Sequence, residues 1–93
     1  MKPEPGTIHY AKYEESDRLQ RTLQYMLHGQ PRTGLDIING AQITAVSAAA
    51  CELRKNGFYF ECVKQNQPSI YQLFNVDQAR ALSAQLLMNK TAE

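Results

Sequence analysis

The side chains able to do chemistry are few, and their spacing argues against catalysis. Neither Cys51 nor Cys62 has a second Cys or a His at metal-ligand spacing. His9 and His28 have no Ser or Cys nucleophile beside them, and there is neither a phosphate-binding glycine loop nor a nucleophile elbow. The pair Glu14-Glu15 sits where a helix N-terminus favours negative charge. The sequence therefore predicts no enzyme, no metal and no cofactor. Its two thiols read as small hydrophobes rather than a disulfide. Among the remaining polar residues are Arg32, Thr33, Gln42, Thr44, Ser47, Arg54, Lys55, Lys64 and Asn66, with the small Ala45 and Ala48 between some of them. Hydroxyls, amides and cations in this mixture suit phosphate oxygens and base edges.

Two short helices over 33–57 must position most of that set. Thr33 caps a first helix, 34–39, whose apolar residues are Leu35, Ile37 and Ile38. Asn39-Gly40 supplies the left-handed backbone expected to end it. Thr44 caps a second helix over about 45–56, and Gly57 stops it, with Arg54 and Lys55 in the last turn where cations suit the dipole. Val46, Ala49, Ala50 and Leu53, with Ile43 just ahead, recur at helical spacing and face a core. Thr44, Ala45, Ser47, Ala48, Cys51, Glu52 and Lys55 face outward.

The flanking segments complete the plan. Ser16-Asp17 opens a helix with Leu19, Leu23, Met26 and Leu27 in one stripe, ended by His28-Gly29 and blocked by Pro31. Residues 58–63 alternate, with Phe58, Phe60 and Cys62 on one face, and 69–74 return as a second strand around a polar tip at 64–68. Asn75 or Asp77 caps a last helix to about 89, with Val76, Ala79, Leu82, Leu86 and Leu87 as its apolar stripe. Residues 1–15, with Pro3, Pro5 and Gly6, form an N-terminal arm that is extended over 7–13, where Ile8, Tyr10 and Tyr13 pin it to the body.

The run T-G-L-D-I…A-Q-I-T-A-V-S-A…E-L-R-K-N-G-F, followed by a hairpin ending Y-Q-L, resembles the small winged helix-turn-helix proteins of phages and prophages. The likeness spans about 19–73. It implies an α+β, mostly α fold: a winged helix-turn-helix domain over 16–74, with a three-helix core and β-hairpin wing, and an added C-terminal helix over 75–93. It also implies a protein that binds double-stranded DNA as a transcriptional regulator or accessory factor. The helix over 45–56 would enter a major groove, presenting Gln42, Thr44, Ala45, Ser47 and Ala48, with Arg54 and Lys55 behind them. Arg32, Thr33 and the wing residues Lys64 and Asn66 would lie on phosphates.

Composition constrains that expectation. The chain has 93 residues, enough for one domain, with 43% hydrophobic and 20% charged residues. No apolar run is long enough for a membrane span, and 1–10 has no signal-peptide apolar core, so a cytoplasmic location is expected. Ten Lys and Arg against nine Asp and Glu leave a net charge of +1, a weak basis for binding a polyanion. The outward face of the second helix is also poor in Arg, Asn and Gln. An alternative class follows: a winged helix turned to protein interaction, its alanine-rich face packing closely on a host or phage protein. The aliphatic last helix offers a homodimer seam, and a purely structural homo-oligomer built on it is a third reading.

Overall fold

The computed structural model describes residues 11–65 and 68–92. Within them lie four α-helices and a three-stranded antiparallel sheet, making the chain α+β and mostly helical. A 3₁₀ turn, Tyr13–Glu15, leads into α1, Asp17–Met26; then come β1, Arg32–Thr33, α2, Gly34–Ala41, and α3, Val46–Lys55. The hairpin strands β2, Tyr59–Lys64, and β3, Ile70–Phe74, precede α4, Val76–Ala92.

The apolar stripes become the core. Leu19, Leu23 and Met26 of α1 meet Ile37 of α2, and Val46, Ala49, Ala50 and Leu53 of α3, all buried. Phe58, Phe60, Tyr71 and Leu73 close it from the hairpin side, with the Phe60 and Tyr71 rings 5.7 Å apart. Ser16 caps α1 through its side chain, which accepts from the Leu19 amide. Ala79 and Ser83 are the buried positions of α4, which packs against the 3₁₀ turn. There the Tyr13 hydroxyl pairs with Ser83 Oγ at 2.7 Å, and the Tyr13 ring lies 4.9 Å from Phe58.

The structure departs from the sequence expectations at several points. First, β1 was not foreseen: Arg32 pairs with Tyr71 and Thr33 with Ile70, giving the sheet order β1-β3-β2. Second, α2 does not end at Asn39-Gly40 but runs through both to Ala41, and Gln42 takes the left-handed backbone at φ 58°. Gly40 instead permits close packing: a Cβ there would stand 2.1 Å from the Tyr25 ring. Third, Thr44 does not cap α3; the cap position is Ala45, which makes no side-chain hydrogen bond. Fourth, the segment at Tyr13 is a 3₁₀ turn rather than extended chain, and α4 continues beyond 89. The anchors Ile8 and Tyr10, and the arm over 1–10, lie outside the described residues.

Asn56, a residue sequence reasoning passed over, ties the N-terminal segment to α3. Its Oδ1 accepts from the Tyr13 amide at 2.9 Å. Its Nδ2 donates to Ala11 O at 2.9 Å and to Glu52 O at 2.7 Å.

Candidate functional site

The outward side of α3 and the adjoining hairpin gather much of the predicted binding set. Thr44, Ala45, Ser47 and Ala48 are exposed around the N-terminal turn of α3. Their exposure follows from the buried spacing of Val46, Ala49 and Ala50, which turns these four outward. Lys55 is exposed at the far end of the helix. Lys64 is exposed at the end of β2, beside an irregularity in register between Cys62 and Lys64. There the Cys62 thiol donates to Lys64 O at 3.3 Å. Asn66 lies outside the described residues. Gln42 is exposed but serves as the α2 cap, and its carbonyl accepts from Arg21 at 3.1 Å.

Several arginines, the predicted Arg54 and Arg32 among them, are held by the fold. Arg54, at the end of α3, donates to Phe60 O at 3.1 Å and has Glu61 at 3.9 Å. Arg18 pairs with Glu52, joining α1 to α3 and offsetting the carboxylate on the outward face. Arg21 pairs with Asp17 and also donates to Ala41 O at 2.9 Å. Arg32 is half-buried in β1 and donates to its neighbour Pro31 O at 2.8 Å.

The N-terminus of α2, expected to meet a phosphate, is mostly occupied. Thr33 Oγ1 accepts from the Asp36 amide and Asp36 Oδ2 accepts from the Thr33 amide, a complete capping box. The Gly34 amide donates to Ser69 O at 3.0 Å, fastening the helix to the base of the hairpin. At most the Leu35 amide is left for an outside acceptor, and the Asp36 carboxylate opposes an anion there. Thr33 therefore does structural work as cap and as strand residue.

A cleft of about 240 Å³ separates α3 from the hairpin. Ser47, Ala50 and Arg54 line it from the helix, and Cys62, Gln65, Ser69 and Tyr71 from the strands. Ser47 and Arg54 were foreseen as binding residues, whereas Gln65, Ser69 and Tyr71 were not. Alternation in β3 marked Tyr71 as facing away from Gln72, but nothing local signals the helix it faces. Burial raises the Tyr71 phenol above its ordinary pKa, the Cys62 thiol adds to the shift, and Arg54 works against it.

No family model, curated protein or solved structure matches the chain.

The described residues hold no cluster of His, Cys, Asp and Glu able to bind a metal, and no helix long and apolar enough to cross a membrane. The outer face of the hairpin carries a second feature. Tyr59 and Phe74 are register partners across β2 and β3, and both rings are exposed.

Proposed function

We propose that the chain is a winged helix-turn-helix protein that binds duplex DNA, with α3 in the major groove and the β2–β3 hairpin as the wing on the backbone. The element order α1-β1-α2-α3-β2-β3 and the sheet order β1-β3-β2 support the fold. The observation that carries the function is the start of α3 together with the two residues ahead of it. It exposes Thr44, Ala45, Ser47 and Ala48 and stands beside a hairpin with Lys64 at its end. Small side chains let a helix approach base edges closely, hydroxyls bond bases or phosphates, and methyl groups meet thymine methyls. The role would be that of a phage or prophage regulator or DNA-transaction factor, as the sequence resemblance implies.

The test is binding to random duplex and to the DNA upstream of the protein's own gene, at two salt concentrations. Salt-sensitive binding, tighter on the upstream duplex, is the expected result. Ser47→Glu places a carboxylate at an exposed position on the groove face. It should abolish binding while leaving the melting temperature unchanged. Undiminished binding by this folded variant would remove α3 as the reading element.

One observation favours a protein partner. The exposed Tyr59 and Phe74 rings form an apolar spot on the hairpin, while Arg18 and Arg21 are tied to carboxylates. Absence of duplex binding at low salt, with a partner recovered from host extract and lost on Tyr59→Ser, would establish that reading.

A further inference from the structure

We infer that the cleft between α3 and the hairpin is a phosphate site, and that one backbone phosphate of the bound duplex occupies it, held by Arg54, Tyr71 and Ser47. The inference rests on the duplex reading only for the source of the phosphate. The cleft itself is argued from its lining. Its polar side chains are Ser47, Arg54, Cys62, Gln65, Ser69 and Tyr71. The Cys62 thiol and the Ser69 hydroxyl already donate to Lys64 O and Gln65 O; Ser47, Arg54, Gln65 and Tyr71 carry the other N–H and O–H groups, Arg54 is permanently cationic, and none of the six is a carboxylate. Glu61, 3.9 Å from Arg54, does not line the cleft; it lines a second depression that shares Arg54 and includes Tyr59 and Gly57.

Tyr71 supplies a second donor to the cleft. The residue is only 8% exposed. Its hydroxyl makes no hydrogen bond to another described residue, yet no polar side-chain atom among those residues is sealed away unsatisfied. The hydroxyl therefore opens on the cleft, where Arg54 and Cys62 are close enough to influence its charge. Burial keeps the phenol protonated, hence a donor, at neutral pH. Arg54 is pre-positioned by Phe60 O, a bond that takes one of its five N–H groups. Holding the side chain in advance removes much of the ordering cost of binding.

The end of α3 adds to this. Ser47 stands in the first turn of a ten-residue helix whose cap residue, Ala45, makes no side-chain bond and whose first turn holds no acid. The contrast with the filled capping box of α2 is direct. Free N–H groups and the positive end of the helix dipole thus lie at the same end of α3 as Ser47. A volume of about 240 Å³ exceeds that of several waters at about 30 Å³ each, room for a tetrahedral oxyanion.

The experiment titrates the full-length protein with inorganic phosphate, followed by amide shifts, and separately with duplex DNA. Wild type is compared with Tyr71→Phe, Ser47→Ala and Arg54→Gln. Inorganic phosphate should move the Ser47, Ala48 and Tyr71 amides and should not do so in Tyr71→Phe. Tyr71→Phe should weaken duplex binding about tenfold, the size of one hydrogen bond to a charged acceptor. Arg54→Gln should flatten the log-affinity against log-salt slope by about 0.9. Because Arg54 also braces β2, the ring-preserving Tyr71→Phe decides the case if Arg54→Gln fails to fold. Amide shifts with phosphate but no binding to any duplex would uphold the cleft and overturn the DNA reading. Duplex binding indifferent to Tyr71→Phe, with no phosphate shifts, would overturn the cleft and leave the DNA reading standing. Neither response would overturn both.

Discussion

Replacing Asn56 with alanine should cost about 2 kcal/mol of stability, although Asn56 is neither in the apolar core nor in the candidate site. Its amide makes three hydrogen bonds, from Tyr13 N and to Ala11 O and Glu52 O, at 2.9, 2.9 and 2.7 Å. Each contributes about 1 kcal/mol net, and leaving a buried partner unpaired costs more. The bonds are only part-buried, so water recovers a share, which reduces a sum of about 3 to about 2 kcal/mol. Urea denaturation gives the change in free energy, and hydrogen exchange at the Tyr13 amide reports the local effect. That amide should lose protection before the global transition, because its acceptor has gone. Asn56→Asp separates geometry from chemistry. It retains the oxygen facing Tyr13 N but sets a second oxygen against two carbonyls, so it should destabilise at least as much at neutral pH. A loss below about 0.5 kcal/mol for the alanine variant, with Tyr13 still protected, would refute the claim that this side chain holds the segment.

Gly40→Ala should destabilise by about 1–2 kcal/mol through overpacking against Tyr25, although alanine is the better helix former by about 1 kcal/mol. In a Tyr25→Ala background the same change should stabilise, and thermal melts of the four proteins show whether the sign reverses. His28 lies below the usual histidine value of 6.5, first through burial and second through Arg32, and its Nδ1 accepts from the Gln30 amide. The folded state then binds fewer protons than the unfolded one, so stability is present above pH 6.5 and falls as pH drops through the folded pKa. Melting curves of His28→Gln should show a flatter dependence over that acid window. Lys64→Ala should leave melting unchanged and make the salt dependence of duplex binding shallower by about 0.9; an unaltered slope would remove the hairpin end from the backbone contacts.

Periodicity made much of the fold legible. Leu19, Leu23 and Met26 mark the buried stripe of α1, and Val46, Ala49, Ala50 and Leu53 that of α3, because helical spacing is a local property. Phe58 and Phe60 mark the inner face of β2 by alternation in the same way. Features depending on distant partners were not legible. β1 is two polar residues that pair only because β3 arrives beside them. Gly40 resembles a turn residue until Tyr25 is placed against it. Thr44 is the better capping residue by type, yet Ala45 takes the cap position. Within the site, the face of α3 followed from spacing, whereas the pairing of Arg18 with Glu52 and the opening of Tyr71 onto Ser47 and Arg54 required the assembled molecule.

The bond between Tyr13 and Ser83 spans 70 residues. During synthesis, Tyr13 leaves the ribosome first and has no hydroxyl partner until α4 has followed. The helices and hairpin between them can assemble beforehand, since β3 pairs with β2 and β1, α3 packs on β2, and α1 packs on α2 and α3. Closure of the early segment on the late one therefore waits for α4. A chain stalled before Ser83 would display Tyr13, Phe58 and the Ala79 side of the core to whatever chaperone or protease stood nearby. Synthesis as far as Ser83 is thus a condition for closing this part of the fold.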